Sequence, residues 1–327
     1  MRRREFIMLI GGAVTWPVRV GAQQPALPVV ALVSLRSGEA SVRLADAFRK
    51  GLEEAGYVEG QNVTVQYDWL DGRFDRLSSV MADLVRRRVA VIATPGGTYA
   101  SQAAKAATTT IPIVFGVGDD PVRLRLVASL ARPGGNATGY NLSVSEIPTK
   151  RLELLHALVP KAVRIAMLVN PENVPVAAGT LHDVPEAARA IGLQMQILNA
   201  STKDEIEAAF DTLVRDQIDA LFVASDTYFV SRRDQLVTLT ARYRIPAAYG
   251  TREDVEAGGL MSYGADNQEM WHQVGIYTGQ ILKGAKPADL PVLQTTKFEF
   301  LINLRTAKAL GIEVPSSILL LADEVIE

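Results

Sequence analysis

The groups in this chain whose types and spacing could do chemistry are a pair of adjacent carboxylates, three histidines and one glycine-rich turn. Asp119-Asp120-Pro121 sets two acids side by side, as general acid/base work or a metal site would require. The same letters suit the opening of a helix, where Asp caps free N–H groups and Pro fits the first turn, and the spacing favours capping. His156, His182 and His272 are scattered on helical stretches with no ligand set at metal spacing, so they read as surface or boundary residues. There is no Gly-x-Ser-x-Gly, and neither a Gly-Lys-Thr phosphate loop nor a dinucleotide Gly-x-Gly-x-x-Gly follows the first apolar run. The expectation is therefore a protein without catalytic residues, cofactor or metal. Gly96-Gly97-Thr98 offers something else. Two glycines admit close backbone approach, and Thr98 can cap a helix running through Ala106, leaving free amides and a positive dipole end for a carboxylate. The bland reading is a tight turn with a cap. Ser34 and Ser101 are the nearby hydroxyl donors.

Positioning such groups requires a scaffold, and the apolar pattern describes one. Val29 to Leu35 reads as a strand, Val42, Leu44, Ala45, Phe48 and Leu52 fall at helical spacing, and Val63 to Trp69 is a second strand. A helix presenting Leu77, Val80, Met81, Leu84 and Val85 leads to Val89–Ala93, a run suited to burial on both faces. Such alternation means βαβ units and a parallel sheet. From Val163 the pattern restarts: strand Val163–Val169, a helix around 176–191, strand Leu193–Leu198, a helix around 204–214 and strand Ala220–Ala224.

Similar junctions recur in the same order. Leu84-Val85-Arg86 is echoed by Leu213-Val214-Arg215, and Ile111-Pro112 through Gly116 by Ile245-Pro246 through Gly250. Gly134-Gly135 before Thr138-Gly139-Tyr140 is echoed by Gly258-Gly259 before Met261-Ser262-Tyr263. Any parallel α/β protein reuses some such junctions, yet the order favours two related lobes. Parallel sheets work at the carboxyl ends of their strands. In the first lobe those ends are Ser34–Ser37, Thr94–Thr98 and Gly116–Asp120. In the second they are Asn170–Asn173, Ser225–Tyr228 and Tyr249–Arg252. Facing lobes would line one cleft with all six.

The N-terminus concerns the compartment. Met1 and three arginines precede the largely apolar run Phe6 to Trp16 and the small-residue exit Val20-Gly21-Ala22, which is the form of an export signal. Arg3-Arg4-Glu5-Phe6-Ile7 has twin-arginine spacing, with general secretion as the competing route. Cleavage after Ala22 leaves Gln23 to Glu327, enough for two lobes. The apolar core is shorter than the roughly 20 residues a membrane span needs, so the mature chain should be soluble and periplasmic. The net charge of −2 falls to about −5 without the leader, so no basic field exists to hold nucleic acid. The chain has no cysteine, which removes disulfides, thiol nucleophiles and thiolate metal sites.

A resemblance rests on particular segments: the twin-arginine leader, Gly51-Leu52 through Gly56-Tyr57 with Gly60–Val63, Ile111–Phe115, Ser129–Gly139 and Gly284–Pro291. Together they resemble the substrate-binding proteins of ATP-binding-cassette importers, and more narrowly the family whose characterised members take up tryptophan and related aromatic amino acids. Leu130–Gly139 is the strongest segment, and the match runs over essentially the whole chain. The resemblance implies a type I periplasmic-binding fold, α/β, with two doubly wound parallel-sheet lobes joined by three hinge strands. It also implies a monomer that closes on a small ligand and is recognised by a permease in the inner membrane.

The second-lobe candidates follow from it. Asp226 sits after Leu221–Ala224, where the resembling family carries an acid at a strand end, and would pair with a ligand ammonium. On the letters alone it serves equally well as the cap of a helix starting near Ser231. Thr227-Tyr228-Phe229 is bulkier than the small polar residues typical of the aromatic amino acid binders. Tyr228, Tyr249 and Tyr263 offer ring walls with a hydroxyl, or ordinary core. The expected site thus comprises Ser34, Thr94, Gly96, Gly97, Thr98, Ser101, Asp119, Asn170, Asp226, Thr227, Tyr228, Tyr249 and Tyr263.

The lobes are expected over 23–141 with about 264–290, and over 142–263 with about 291–327, the chain crossing near Tyr140–Ser143, Met261–Gly264 and Leu290–Leu293. The helix Gln268–Leu282 would then return to the first lobe and Phe298–Leu304 to the second. A sugar-responsive repressor of the same fold would need a DNA-binding head where the leader stands. A sensory binding protein serving a membrane receptor, or an extracytoplasmic hydrolase, remain the other function classes.

Overall fold

A computed structural model describes residues 27–142 and 146–327; the export signal and Ser143 of the first expected crossing lie outside them. The first half of the chain forms β1 (Val29–Ser34), α1 (Val42–Glu54), β2 (Thr64–Trp69), α2 (Leu77–Arg87), β3 (Val91–Thr94), α3 (Thr98–Ala107), β4 (Ile113–Val117) and β5 (Ala137–Asn141). After α4 (Glu146–Leu158) the series repeats as β6 (Arg164–Val169), α5 (Val174–Ala190), β7 (Gln194–Asn199), α6 (Lys203–Arg215), β8 (Ala220–Val223), α7 (Thr227–Ser231), α8 (Arg233–Tyr243), β9 (Ala247–Tyr249), α9 (Arg252–Glu256) and β10 (Met261–Ala265). The remainder is α10 (Asn267–Leu282), β11 (Leu293–Gln294), β12 (Phe298–Asn303), α11 (Leu304–Leu310), α12 (Ser316–Leu319) and β13 (Glu324–Ile326).

Two sheets result, ordered β11-β5-β4-β3-β1-β2 and β13-β12-β10-β9-β8-β6-β7. Reading each from its edge, β2-β1-β3-β4-β5 corresponds to β7-β6-β8-β9-β10, so the repeated junctions of the sequence occupy equivalent places. The paired Ile-Pro runs lead into β4 and β9, and the paired Gly-Gly runs precede β5 and β10. Among the described residues all strand pairings are parallel except β10 with β12.

Period-two alternation divides each central strand between two helical layers. Ala31 and Val33 of β1 face the layer of α2 and α3, with Met81 and Leu84, while Val30 and Leu32 face α1 and α10, with Phe48 and Trp271. In the second sheet Ile165, Met167 and Val169 pack toward α4 and α5, and Ala166 and Leu168 toward α6 and α8. Each fully buried leucine or phenylalanine here contributes roughly 1.5–3 kcal/mol. Helix α6 illustrates the local logic: Ile206, Ala209, Phe210 and Leu213 are its buried stripe, and Thr202 with Glu205 forms a capping box at its start.

Helix α10 follows a second-sheet strand yet packs in the first lobe against α1. Glycines set that seam: a methyl at Gly275 would stand 2.2 Å from the Phe48 carbonyl oxygen, and one at Gly51 would stand 2.0 Å from that of His272. The chain therefore passes between sheets after β5, after β10 and after β11. The amide of Leu142 donates to the Val117 carbonyl at 2.8 Å, and the Thr295 amide to that of Asn141 at 2.9 Å. The Asp266 amide donates to the Lys297 carbonyl at 3.2 Å, so the three crossings are laced together. This is the type I periplasmic-binding architecture. Among the described residues no helix is long and apolar enough to cross a membrane.

Candidate functional site

The strand tips of the two lobes meet. Arg36, two residues past β1, is buried and pairs with Glu253 of α9 at 3.2 Å, and Arg43 of α1 reaches Glu256 at 2.7 Å. Tyr99, at the start of α3, donates its hydroxyl to the Glu172 carbonyl, and the amide of Val174 donates back to it at 3.2 Å. The ring of Tyr228 approaches Gly72 in the first lobe, where a Cβ would lie 3.7 Å from its edge. The lobes are closed on one another.

The expected residues divide by position. Asp226 is buried and caps α7, its carboxylate accepting from the Tyr228 amide at 2.8 Å and from the side-chain amides of Asn170 at 3.0 Å and Asn173 at 2.5 Å. The capped helix begins at Thr227, not near Ser231. Burial pushes this carboxyl up while its four donors, the Phe229 amide included, pull it down. Tyr99 links this cluster to the start of α3, so Thr98 and Asp226 lie on opposing sides of one junction. Thr227 and Tyr228 are half-buried beside them.

Thr98 is not the helix cap. Gly97 holds that position, in extended backbone, and no side chain caps α3. The Gly97 amide donates to the Gly116 carbonyl at 3.1 Å, while Gly96 takes φ +73°, a conformation that favours glycine. Helix α3 ends at Ala107, one residue beyond the expected end. Thr94 and Ser101 share a hydrogen bond of 2.9 Å, Ser101 also bonds the Gly97 carbonyl, and Ser34 accepts from the Arg36 amide. These hydroxyls shape the tip loops from beneath.

Two of the tyrosines pack within their own lobe, Tyr249 fully buried and Tyr263 partly so. Tyr249 is 1% exposed, its hydroxyl bonded to Thr240 and its ring in the α6–α8 layer; burial raises its phenol far above the ordinary range. It forms no cleft wall, because β9 turns that side chain away from the tips. Tyr263 packs between Phe298 and Phe300. Asp119-Asp120-Pro121 opens a turn and not a helix: Asp120 accepts from the Val122 and Arg123 amides, and Asp119 accepts from the Asp120 amide and from Arg123 at 2.5 Å. The histidines lie at the surface or boundary, with His182 beside Asp183 and His272 beside Glu54. Among the described residues no His, Cys, Asp or Glu cluster could hold a metal ion.

Beside this junction lies a cavity of about 620 Å³, bordered by the β4 tip, the crossings, α4, α5 and the β8 and β9 tips. Of the expected residues Asp119 borders it, with Oδ2 buried and without a hydrogen-bond partner. Arg151 of α4 borders it too, only 2% exposed. Its guanidinium donates to the carbonyls of Tyr263 at 2.7 Å and Val223 at 3.3 Å and to Ser225 Oγ at 3.0 Å, and lies over the Phe222 ring. Burial pulls its pKa down to about 10, with Asp254 acting weakly in the other direction, so it remains a cation at neutral pH.

Arg36 and Arg151 were absent from the expected site. The signal for Arg151 was an arginine on an apolar helical stripe, between Ile147 and Leu155 at four-residue spacing. Arg36 stood within the first tip loop, where a charge two residues beyond a buried strand is bound to meet whatever faces it.

The sequence profile of one family, described as ABC transporter substrate binding protein, matches residues 29–326. A tyrosine-binding protein of Clostridioides difficile is 30% identical over 273 residues, covering 81% of this chain and 76% of its own length. Among solved structures, a domain from Streptococcus pneumoniae in complex with L-Trp superposes with TM-score 0.83 at 26% identity, over 92% of this chain and all of that one. A ligand-free, open substrate-binding protein with adhesive properties from Clostridium difficile superposes with TM-score 0.64 at 27% identity, over 89% of this chain and 97% of the other. At nearly equal identity the closed lobes seen here match the ligand-bound relative better than the open one.

Proposed function

The chain belongs to the family of ABC transporter substrate-binding proteins, and from that premise we propose that it captures an amino acid, or a related aromatic or carboxylate compound, between its lobes outside the cytoplasm. The observation that carries this reading is the convergence of tip loops from both sheets on one junction that holds buried Asp226 and the Arg36–Glu253 pair, next to a cavity of ligand size bordered by the buried cation of Arg151. A ligand touching both lobes makes its full set of contacts only when they close, and this differential contact shifts the open and closed populations. The tyrosine- and tryptophan-binding relatives support an amino acid as ligand. The uncapped start of α3 would receive a carboxylate and Asp226 an ammonium. The protein then works as a periplasmic monomer that binds and releases its ligand unchanged and delivers it to an inner-membrane permease.

A thermal-shift panel of amino acids, aromatic acids and short branched acids tests the reading, followed by calorimetry on the hits. Binding raises the midpoint with the logarithm of saturation, so a micromolar ligand at about 100 times its Kd adds about 2.7 kcal/mol. A panel without a stoichiometric binder, or chemical turnover of a compound in it, overturns the proposal.

A further inference from the structure

A buried arginine ordinarily has a carboxylate beside it, because desolvating a lone cation is costly. Among the described residues no carboxylate lies within 4.0 Å of Arg151, although its guanidinium is almost fully buried. What holds it is a set of neutral oxygens on β8, β10 and the loop after β8, with the Phe222 face beneath. These partners fix the planar fork without cancelling its charge. Gly250 leaves room beside the fork: a Cβ there would lie 3.2 Å from Nη2 and crowd it. On the first-lobe side of the same cavity stands Asp119, 5% exposed, with Oδ2 unpaired. Leu142, Ile147 and Pro148 add apolar surface to the wall.

From this we infer that Arg151 is the ligand's anion anchor: the cavity takes a carboxylate on the second-lobe side and a hydrogen-bond donor of the same ligand at Asp119. The substrate class is therefore carboxylic acids that also carry an N–H or O–H donor, such as amino and hydroxy acids. The inference rests on the binding function proposed above and moves the carboxylate contact from the start of α3 to α4. Arg suits this role because its fork meets a carboxylate with two parallel N–H bonds, while its other donors stay tied to the fold. A ligand spanning Arg151 and Asp119 joins the two lobes, so the same contacts that select it also favour closure.

The test takes the best acid from the panel together with its primary amide, and measures both by calorimetry on the wild type, on Arg151→Gln and on Arg151→Lys. On the wild type the acid binds at least about thirtyfold tighter than the amide, since removing one partner of a buried charge contact is costly. Arg151→Gln brings that ratio to within about threefold of unity, mainly by weakening the acid. Arg151→Lys, which keeps charge but not the fork, retains the preference with an acid affinity reduced about tenfold. Because Arg151 also ties β8 to β10, circular dichroism confirms the fold of each variant; if the Gln variant does not fold, the wild-type ratio and the Lys variant decide. An amide that binds the wild type as tightly as the acid overturns the inference. So does an undiminished acid preference in Arg151→Gln, or a Lys variant that binds both compounds like wild type. A panel with no binder at all would instead remove the binding function on which the inference rests.

Discussion

The pair of Arg36 with Glu253 is the interaction whose loss should most directly uncouple closure from folding. It joins a loop of the first lobe to a helix of the second, with side chains 6% and 17% exposed in the closed form. Separating the lobes would hydrate both groups, so replacing Glu253 by Gln leaves the open form nearly untouched and deprives the closed form of a charge partner for Arg36. Burial already lowers the Arg36 pKa, and Glu253 is the first group opposing that shift. Truncating one side of a buried ion pair costs about 2–5 kcal/mol, and the residual exposure of Glu253 argues for the lower end. About 2 kcal/mol charged to the closed state alone weakens apparent affinity by roughly thirtyfold, because affinity scales with the competent fraction. Calorimetry with the panel ligand reads the affinity, and small-angle scattering with and without ligand reads the lobe separation. The ligand-free melting temperature should move by less than about 2 °C. Affinity within threefold of wild type, or a large loss of ligand-free stability, would refute the reasoning.

Three other outcomes follow from named contacts. Asp226→Asn keeps an oxygen to cap α7 but removes the charge proposed to meet a ligand ammonium, so a zwitterionic ligand should bind at least about tenfold more weakly by calorimetry, and an unchanged Kd removes that assignment. Gly275→Ala places a methyl 2.2 Å from the Phe48 carbonyl, which forces α10 away from α1 and should cost about 1–3 kcal/mol by urea unfolding; a wild-type midpoint would mean the seam yields freely. Asp254 concerns pH. Burial raises its carboxyl from the ordinary 3.8 to about 6, against the pull of the Thr251 hydroxyl and amide. The folded state therefore holds this proton more tightly than the unfolded chain, and the associated stability is present near pH 4 and lost as pH rises through about 6. Relative to Asp254→Asn, wild type should lose melting temperature between pH 4 and 6.5, and parallel curves for the two proteins would contradict this.

Much of the fold could be read from local patterns. Continuous apolar runs such as Leu221–Ala224 became strands buried on both faces, and the stripe through Leu44, Phe48 and Leu52 became the inner face of α1. The Ile-Pro and Gly-Gly echoes marked equivalent strands because both halves solve the same connection problem. Individual side-chain roles were harder. Thr98 looked like a cap, yet the short turn after β3 places Gly97 at that position. Tyr249 looked like a cleft wall, but in a three-residue strand the direction of one side chain depends on the register with β8 and β10, and that register sends it into the core.

Periodicity and composition by themselves determined a duplicated parallel α/β body without cysteine, since each depends on residue type and short-range spacing. Tertiary structure alone decided which polar groups face one another. Arg36 and Glu253 are separated by more than 200 positions, and Arg151 meets the Tyr263 carbonyl across more than 100. The first pair forms only when the strand tips of the two lobes turn together, and the second only when α4 packs across the second sheet. Buried charge energies depend on that closure, because the same groups in open water would cost and contribute almost nothing.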